Sequence, residues 1–323
     1  VTKKLICTFI VLAVIFGSVF IMINPPFTMP DENAHYINIC RIVEGGFFPD
    51  VLNGEVGSYI TADQNAFLSS FYGKYDGLNG EKADFWELYF QENLDFTNDE
   101  LIFYSTRLST INPFAYVVQW VGAGLANNVL GIKNPSTVLM FARFSSLLFY
   151  VAVTAIAIKK TPVLKRTMFL VALMPMAIYQ GTSISYDAIL IPACFLLFAY
   201  GMKLYFSSED YVVCVEDMVA ICFACALIFS TKIAYAPLII FLLAINLKKF
   251  GSLKRFFFCI GLVGATAVTF YLVPTLICNV ITNGCTNLQF DVLDQQKEFL
   301  ASNPFIIFPV FINTVKSSLG FWV

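Results

Sequence analysis

Residues 5–23, LICTFIVLAVIFGSVFIMI, form an unbroken apolar run of 19 residues behind Lys3 and Lys4. Wound as an α-helix it reaches about 28 Å, close to the thickness of a bilayer's hydrocarbon core. It is one of a series: further apolar runs lie at about 113–131, 137–158, 167–184, 188–206, 212–231, 233–247 and 256–278. A chain of such runs must satisfy its backbone within helices, because hydrocarbon offers no hydrogen-bond partner. With 58% hydrophobic residues, 13% charged ones and a mean hydropathy of +0.73, the chain reads as an all-α polytopic membrane protein. The first run is an anchor rather than a cleaved signal, since it has full span length and ends in Asn24-Pro25-Pro26 without a small-residue cleavage site. No basic stretch interleaved with aromatics points to nucleic acid.

The distribution of charge sets the expected topology. If every run crossed, with the N-terminus inside, KKTPVLKR (159–166) and KKFGSLKR (248–255) would lie outside, against the positive-inside bias. The conflict disappears if 113–131 does not cross. That run is the weakest candidate, carrying Gln119, Asn127, Asn128 and a leading Pro113. Seven spans then place eleven of the 20 Lys and Arg residues on the cytoplasmic side, and the outer segment 24–136 holds fourteen of the 22 acids. So long a connector, with its polar stretch GKYDGLNGEKADF, is expected to fold over the outer face of the bundle. A second outer segment runs from 279 to 323. Cys222 and Cys225 read as packing within an apolar helix, and Cys278 and Cys285 as a possible outer disulfide.

The chemistry concentrates in TMPDENAHYINI (28–39), just after the first span. The spacing predicts a short helix over 31–45, with Asp31 and His35 on one face and Glu32 and Tyr36 on the next. A carboxylate and an imidazole so placed can hold a divalent cation, Mg or Mn, or tune one another's basicity. Taken alone the same triplet also reads as a helix start with acids at its positive end and His35 facing headgroups. Asp187, in YQGTSISYDAIL, falls on the same outer side, as do Arg143 (FARF) and Lys232 (STKIAYAP). The two bases suit either snorkelling to the interface or the phosphate of a lipid ligand.

PPFTMPDENAHY, INPFAY, FARFSSLLFY, LMPMAIYQGTSISYDAIL and TKIAYAPL, in that order along the whole chain, resemble a bacterial family of multi-span proteins allied to the GT-C glycosyltransferases. The opening acids and His35 are similar to the DExH motif of protein O-mannosyltransferases, with the histidine one residue later. The resemblance implies a single GT-C-like helical bundle over 1–323, with a large first extracytoplasmic loop carrying juxtamembrane helices. It also implies further spans beyond residue 323, since GT-C members usually have more. The implied function is an integral enzyme of the bacterial plasma membrane, N-terminus cytoplasmic and active site outside. It would pass a sugar from a polyprenyl-phosphate donor to an extracytoplasmic acceptor such as a cell-surface glycan. Asp31 would be the base of an inverting displacement, with Glu32 the second choice. Asp187, Arg143, Lys232 and Tyr36 would bind substrate, and Asp31 with His35 would hold any metal. Two other classes stay open: a transporter or flippase of lipid-linked saccharides, built around Pro175, Pro192 and Pro237 as helix breakers, and a non-enzymatic assembly protein using its acidic loop.

Overall fold

The computed structural model describes residues 2–74, 98–288 and 291–320. Most of GKYDGLNGEKADF therefore lies outside the described residues. Among the described residues four helical stretches are long and apolar enough to cross a bilayer: α1 (Thr2–Ile23), α5 (Pro135–Lys160), α8 (Asp187–Phe206) and the composite Leu253–Ile281. The last comprises α10 (Leu253–Ala267), a π-turn at Val268–Leu272 and α11 (Val273–Ile281). α9 (Val215–Thr231) adds 17 apolar-rich residues. Helix starts follow local chemistry: Asn134 caps α5, its Oδ1 accepting from the Ser136 and Thr137 amides, with Pro135 in the first turn.

Two expected spans take other forms. The run 167–184 breaks at Leu173–Met174, where Pro175 starts a new helix, into α6 (Lys165–Ala172) and α7 (Pro175–Gly181). The run 233–247 winds as a 3-10 helix over Ile233–Ala244 with Pro237 inside it. At about 2.0 Å per residue these 12 residues reach about 24 Å, against about 18 Å for an α-helix. Residues 113–131, expected not to cross, form a 3-10 turn (Pro113–Tyr116), α4 (Val117–Gly124) and a π-turn (Leu125–Val129), packed along α5 and α2 (Glu32–Val43).

The molecule is mostly helical, as expected, yet the connection after α1 also contains a small sheet that the all-α reading did not include. It holds α2, a three-stranded antiparallel sheet of β1 (Asp50–Leu52), β2 (Glu55–Thr61) and β3 (Leu101–Ser105), and α3 (Ala62–Phe71). Asn53 and Gly54, at φ 52° and 78°, make the tight β1–β2 turn, and Asp50 pairs with Gly57. α2 is buried along almost its whole length. Its Ile37 and Ile39 join Ile60, Phe67, Phe71 and Tyr116 in a core that continues into Leu139 and Ala142 of α5. The sheet and α3 thus sit as a cap on one end of the bundle. Asn287 fastens the later segment to that cap, donating to Val56 O at 2.9 Å and accepting from Val56 N at 3.0 Å.

The bundle has two chemically distinct ends. At one meet the C-terminus of α1, the start of α5, the start of α8 and the end of α9, joined by Arg143–Glu32 and Lys232–Asp187. At the other, Lys160 pairs with Glu216 and Lys203 with Asp217. There too Lys249 donates to the carbonyls ending α8 and Arg255 to Val213 O. The cap and the candidate site belong to the first end.

Candidate functional site

The chain leaves α1 through Asn24-Pro25-Pro26-Phe27 and turns back into α2, and Arg143 holds that turn. Its Nε donates to Glu32 Oε1 at 2.9 Å and its Nη2 to Oε2 at 2.7 Å, a two-pronged clasp. Nη1 and Nη2 also reach the carbonyls of Asn24 and Pro25 at 2.7 and 3.1 Å. Glu32 Oε2 further accepts from the Phe27 amide at 2.8 Å, and Phe27 sits at φ 62°, in the left-handed region a bulky residue rarely adopts. Both charged side chains are essentially fully buried. Desolvation of two ions is offset only where both partners are matched in this way. Glu32 and Arg143, expected as second base and phosphate ligand, are bound to each other and join the end of α1 to α2 and α5. Tyr36, expected to touch substrate, is buried in the cap with its ring edge-on to Phe27 at 5.1 Å between centroids.

The other expected residues do converge. Asp31 is exposed at the start of α2, with φ 56° and no side-chain capping hydrogen bond, while its carbonyl accepts from the Ala34 and His35 amides. An aspartate that does not cap its helix keeps its carboxylate for other work. One turn on, His35 is 3% exposed, its Nδ1 2.7 Å from the Tyr116 hydroxyl and its ring edge-on to Tyr186 at 4.8 Å. Burial, and next the Lys232 ammonium, pull the imidazole down to about 4. His35 is therefore neutral at ordinary pH, a hydrogen-bonding group rather than a cation.

Lys232, just past α9, donates to Asp187 Oδ1 and Oδ2 at 2.9 and 3.2 Å and lies 4.8 Å above the Tyr186 ring. The pair is about one-third exposed, 35% and 28% for the two side chains. Asp187 is presented by the hydroxyl-rich turn before α8. Ser185 Oγ accepts from the Asp187 amide, Ser183 donates to Ser185, and Gln119 Nε2 donates to Ser185 O at 3.1 Å. α4 is thereby tied to the turn that aims Asp187.

At one end of the bundle His35 bonds Tyr116 and meets Tyr186, Lys232 lies over Tyr186 and pairs with Asp187, and Asp31 acts on both tyrosines through space. Both tyrosines lie inside motifs already singled out, INPFAY and SISYDAIL. Among the described residues no group of three or more His, Cys, Asp and Glu comes together to hold a metal ion. Cys278 and Cys285 are both free. An apolar cavity of about 340 Å³ opens in the bundle wall between α9, the Ile233–Ala244 helix and α10, lined by Met218, Phe229, Ala236, Ile239, Phe256 and Val263.

No curated protein and no solved structure matches this chain. A family description, predicted membrane protein (DUF2142), matches residues 14–323. With nearly its whole length covered, from the middle of the first span onward, the chain belongs to the DUF2142 family of membrane proteins.

Proposed function

We propose that the protein is a membrane glycosyltransferase acting at the capped end of the bundle. It takes a sugar from a polyprenyl-phosphate donor and gives it to a hydroxyl acceptor outside the bacterial plasma membrane. The observation that carries this reading is an exposed Asp31 with no side-chain capping bond, acting through space on the same Tyr186 that faces the Asp187–Lys232 pair, in a bundle whose wall holds an apolar cavity. Asp31 accepts the acceptor's hydroxyl proton as its oxygen bonds the anomeric carbon. The bond from that carbon to the phosphate oxygen breaks, and polyprenyl phosphate leaves with the bonding pair. Lys232 meets the charge growing on the phosphate, a role the riveted Arg143 does not share. The apolar cavity runs from Phe229 and Ala236, on either side of Lys232 in sequence, to Met218 and Phe256 near the opposite end, so it suits an isoprenoid tail laid along the bundle wall with its head group at Lys232.

The 12-residue 3-10 helix beside Lys232 favours one second reading, a transporter of lipid-linked saccharides, since broken helices mark transport sites. The two readings separate in proteoliposomes containing polyprenyl-phosphate sugar and a glycan acceptor. Under the transferase reading the wild type yields glycosylated acceptor and Asp31→Asn loses about 10²–10⁴-fold in turnover. Sugar movement across the bilayer without any product would support the transporter. Turnover near wild type in Asp31→Asn would remove Asp31 as the base.

A further inference from the structure

Arg41, in the last turn of α2, is buried to 1% exposure in the cap. Its Nη1 donates to Ser109 O at 2.6 Å. Its Nε and Nη2 have no hydrogen-bond partner among the described residues. These two atoms form one edge of the guanidinium, the same edge with which Arg143 clasps both oxygens of Glu32. The molecule therefore contains two buried arginine forks, one filled by a carboxylate and one empty. A buried guanidinium without a counter-anion is costly, by several kcal/mol in general. Asp50 acts on Arg41 only through space, with no ion pair between them. Although burial pulls the guanidinium down to about 10, it stays protonated at neutral pH.

A second buried polar side chain grips the same turn, though its unpartnered atom is an acceptor and so no ligand for an anion. Asn38, three residues earlier on α2 and fully buried, donates through Nδ2 to Ala34 O and Leu108 O, while its Oδ1 has no partner. Asn38 and Arg41 both grip the carbonyls of one short 3-10 turn, Arg107–Thr110, whose Arg107 and Leu108 are exposed. On its inner side Arg41 feels the field of Tyr116, the partner of His35.

We propose that Arg41 is an oxyanion-binding residue: its unpartnered Nε–Nη2 fork receives two oxygens of a carboxylate or phosphate group. Anions that present two oxygens side by side, a planar carboxylate or a tetrahedral phosphate, match a guanidinium edge, whereas chloride does not. This site is separate from Lys232 and stands whether or not the protein transfers sugar.

The test is thermal unfolding of the full chain in detergent at constant ionic strength, with chloride replaced stepwise by inorganic phosphate or by acetate. A saturable rise in Tm of about 2 °C or more is expected with at least one of the two, and which of them acts names the source chemistry. The rise should vanish in Arg41→Lys, which keeps the charge but not the fork, and in Arg41→Gln. It should persist in Lys232→Met. No rise above chloride in the wild type overturns the proposal whatever the variants do. So does a rise retained in Arg41→Lys, or one lost in Lys232→Met.

Discussion

Asp31 combines a left-handed backbone with an unbonded carboxylate, and the two properties can be separated by substitution. Asparagine tolerates that conformation and valine does not. Asp31→Asn is expected to melt with the wild type while losing activity, whereas Asp31→Val should also lose about 1–3 kcal/mol of stability, read from Tm. Glu32 behaves in the opposite sense. Glu32→Gln leaves Arg143 charged and unbalanced in the interior, so about 3–5 kcal/mol of stability is lost before any chemistry is measured. His35 supplies a pH signature. Its pKa is about 6.5 in the unfolded chain and about 4 in the folded one, so the unfolded chain binds more protons between those values. Stability is therefore full above about pH 6.5 and falls by about 3 kcal/mol as pH drops through about 4, a slope that His35→Gln should flatten. Asp31, His35, Asp187 and Lys232 were legible in the sequence because charge beside an apolar run is conspicuous. The partnership of Glu32 and Arg143 was not, because it joins residues 111 positions apart. Tyr116 and Tyr186 were hidden for another reason: aromatics among apolar neighbours read as packing until a polar partner is seen.

Close approach of helices rests on particular small residues. A Cβ at Gly122 of α4 would strike the carbonyl of Phe141 on α5, a backbone atom that cannot swing aside. Gly122→Ala is expected to push α4 off α5 and, through the Gln119–Ser185 bond, to disturb the turn that presents Asp187. A loss of about 1–3 kcal/mol should accompany weakened activity, both measured on the purified variant. The long α-helices follow directly from apolar length, and α1, α5 and α8 match the expected runs within a few residues. Pro175 divides one apolar run into two short helices and Pro237 lies within a 3-10 helix, whereas Pro192, expected as a breaker, sits inside the continuous α8. Hydropathy sees the run but not its winding. The sheet in the cap had a signal of its own, Asn53-Gly54, which favours a tight hairpin turn, but the flanking strands are only three and seven residues long.

At the level of the whole molecule, the helices alternate so that among the described residues the cap and the candidate site gather at one end, while Lys160, Lys203 and Lys249 lie at the other with Glu216 and Asp217. The charge bias along the sequence points to the lysine-bearing end as the cytoplasmic one, because orientation in a bilayer follows short basic loops. What it did not contain was the packing that closes Asp31, Tyr116, Tyr186, Asp187 and Lys232 into one neighbourhood, which depends on α2 and α4 folding back onto α5. Sugar transfer outside the membrane requires that neighbourhood to open to the exterior of the cell, and the most direct measurement is site-directed thiol labelling in intact cells. Cysteine would replace Asp31, Asp187 or Lys203 one at a time, with a membrane-impermeant maleimide as reagent and mass spectrometry to locate the label. Labelling is expected at 31 and 187 from outside and at 203 only after permeabilisation. Labelling at 187 only after permeabilisation, with 31 labelled from outside, would place the two carboxylates on opposite faces and contradict a shared site.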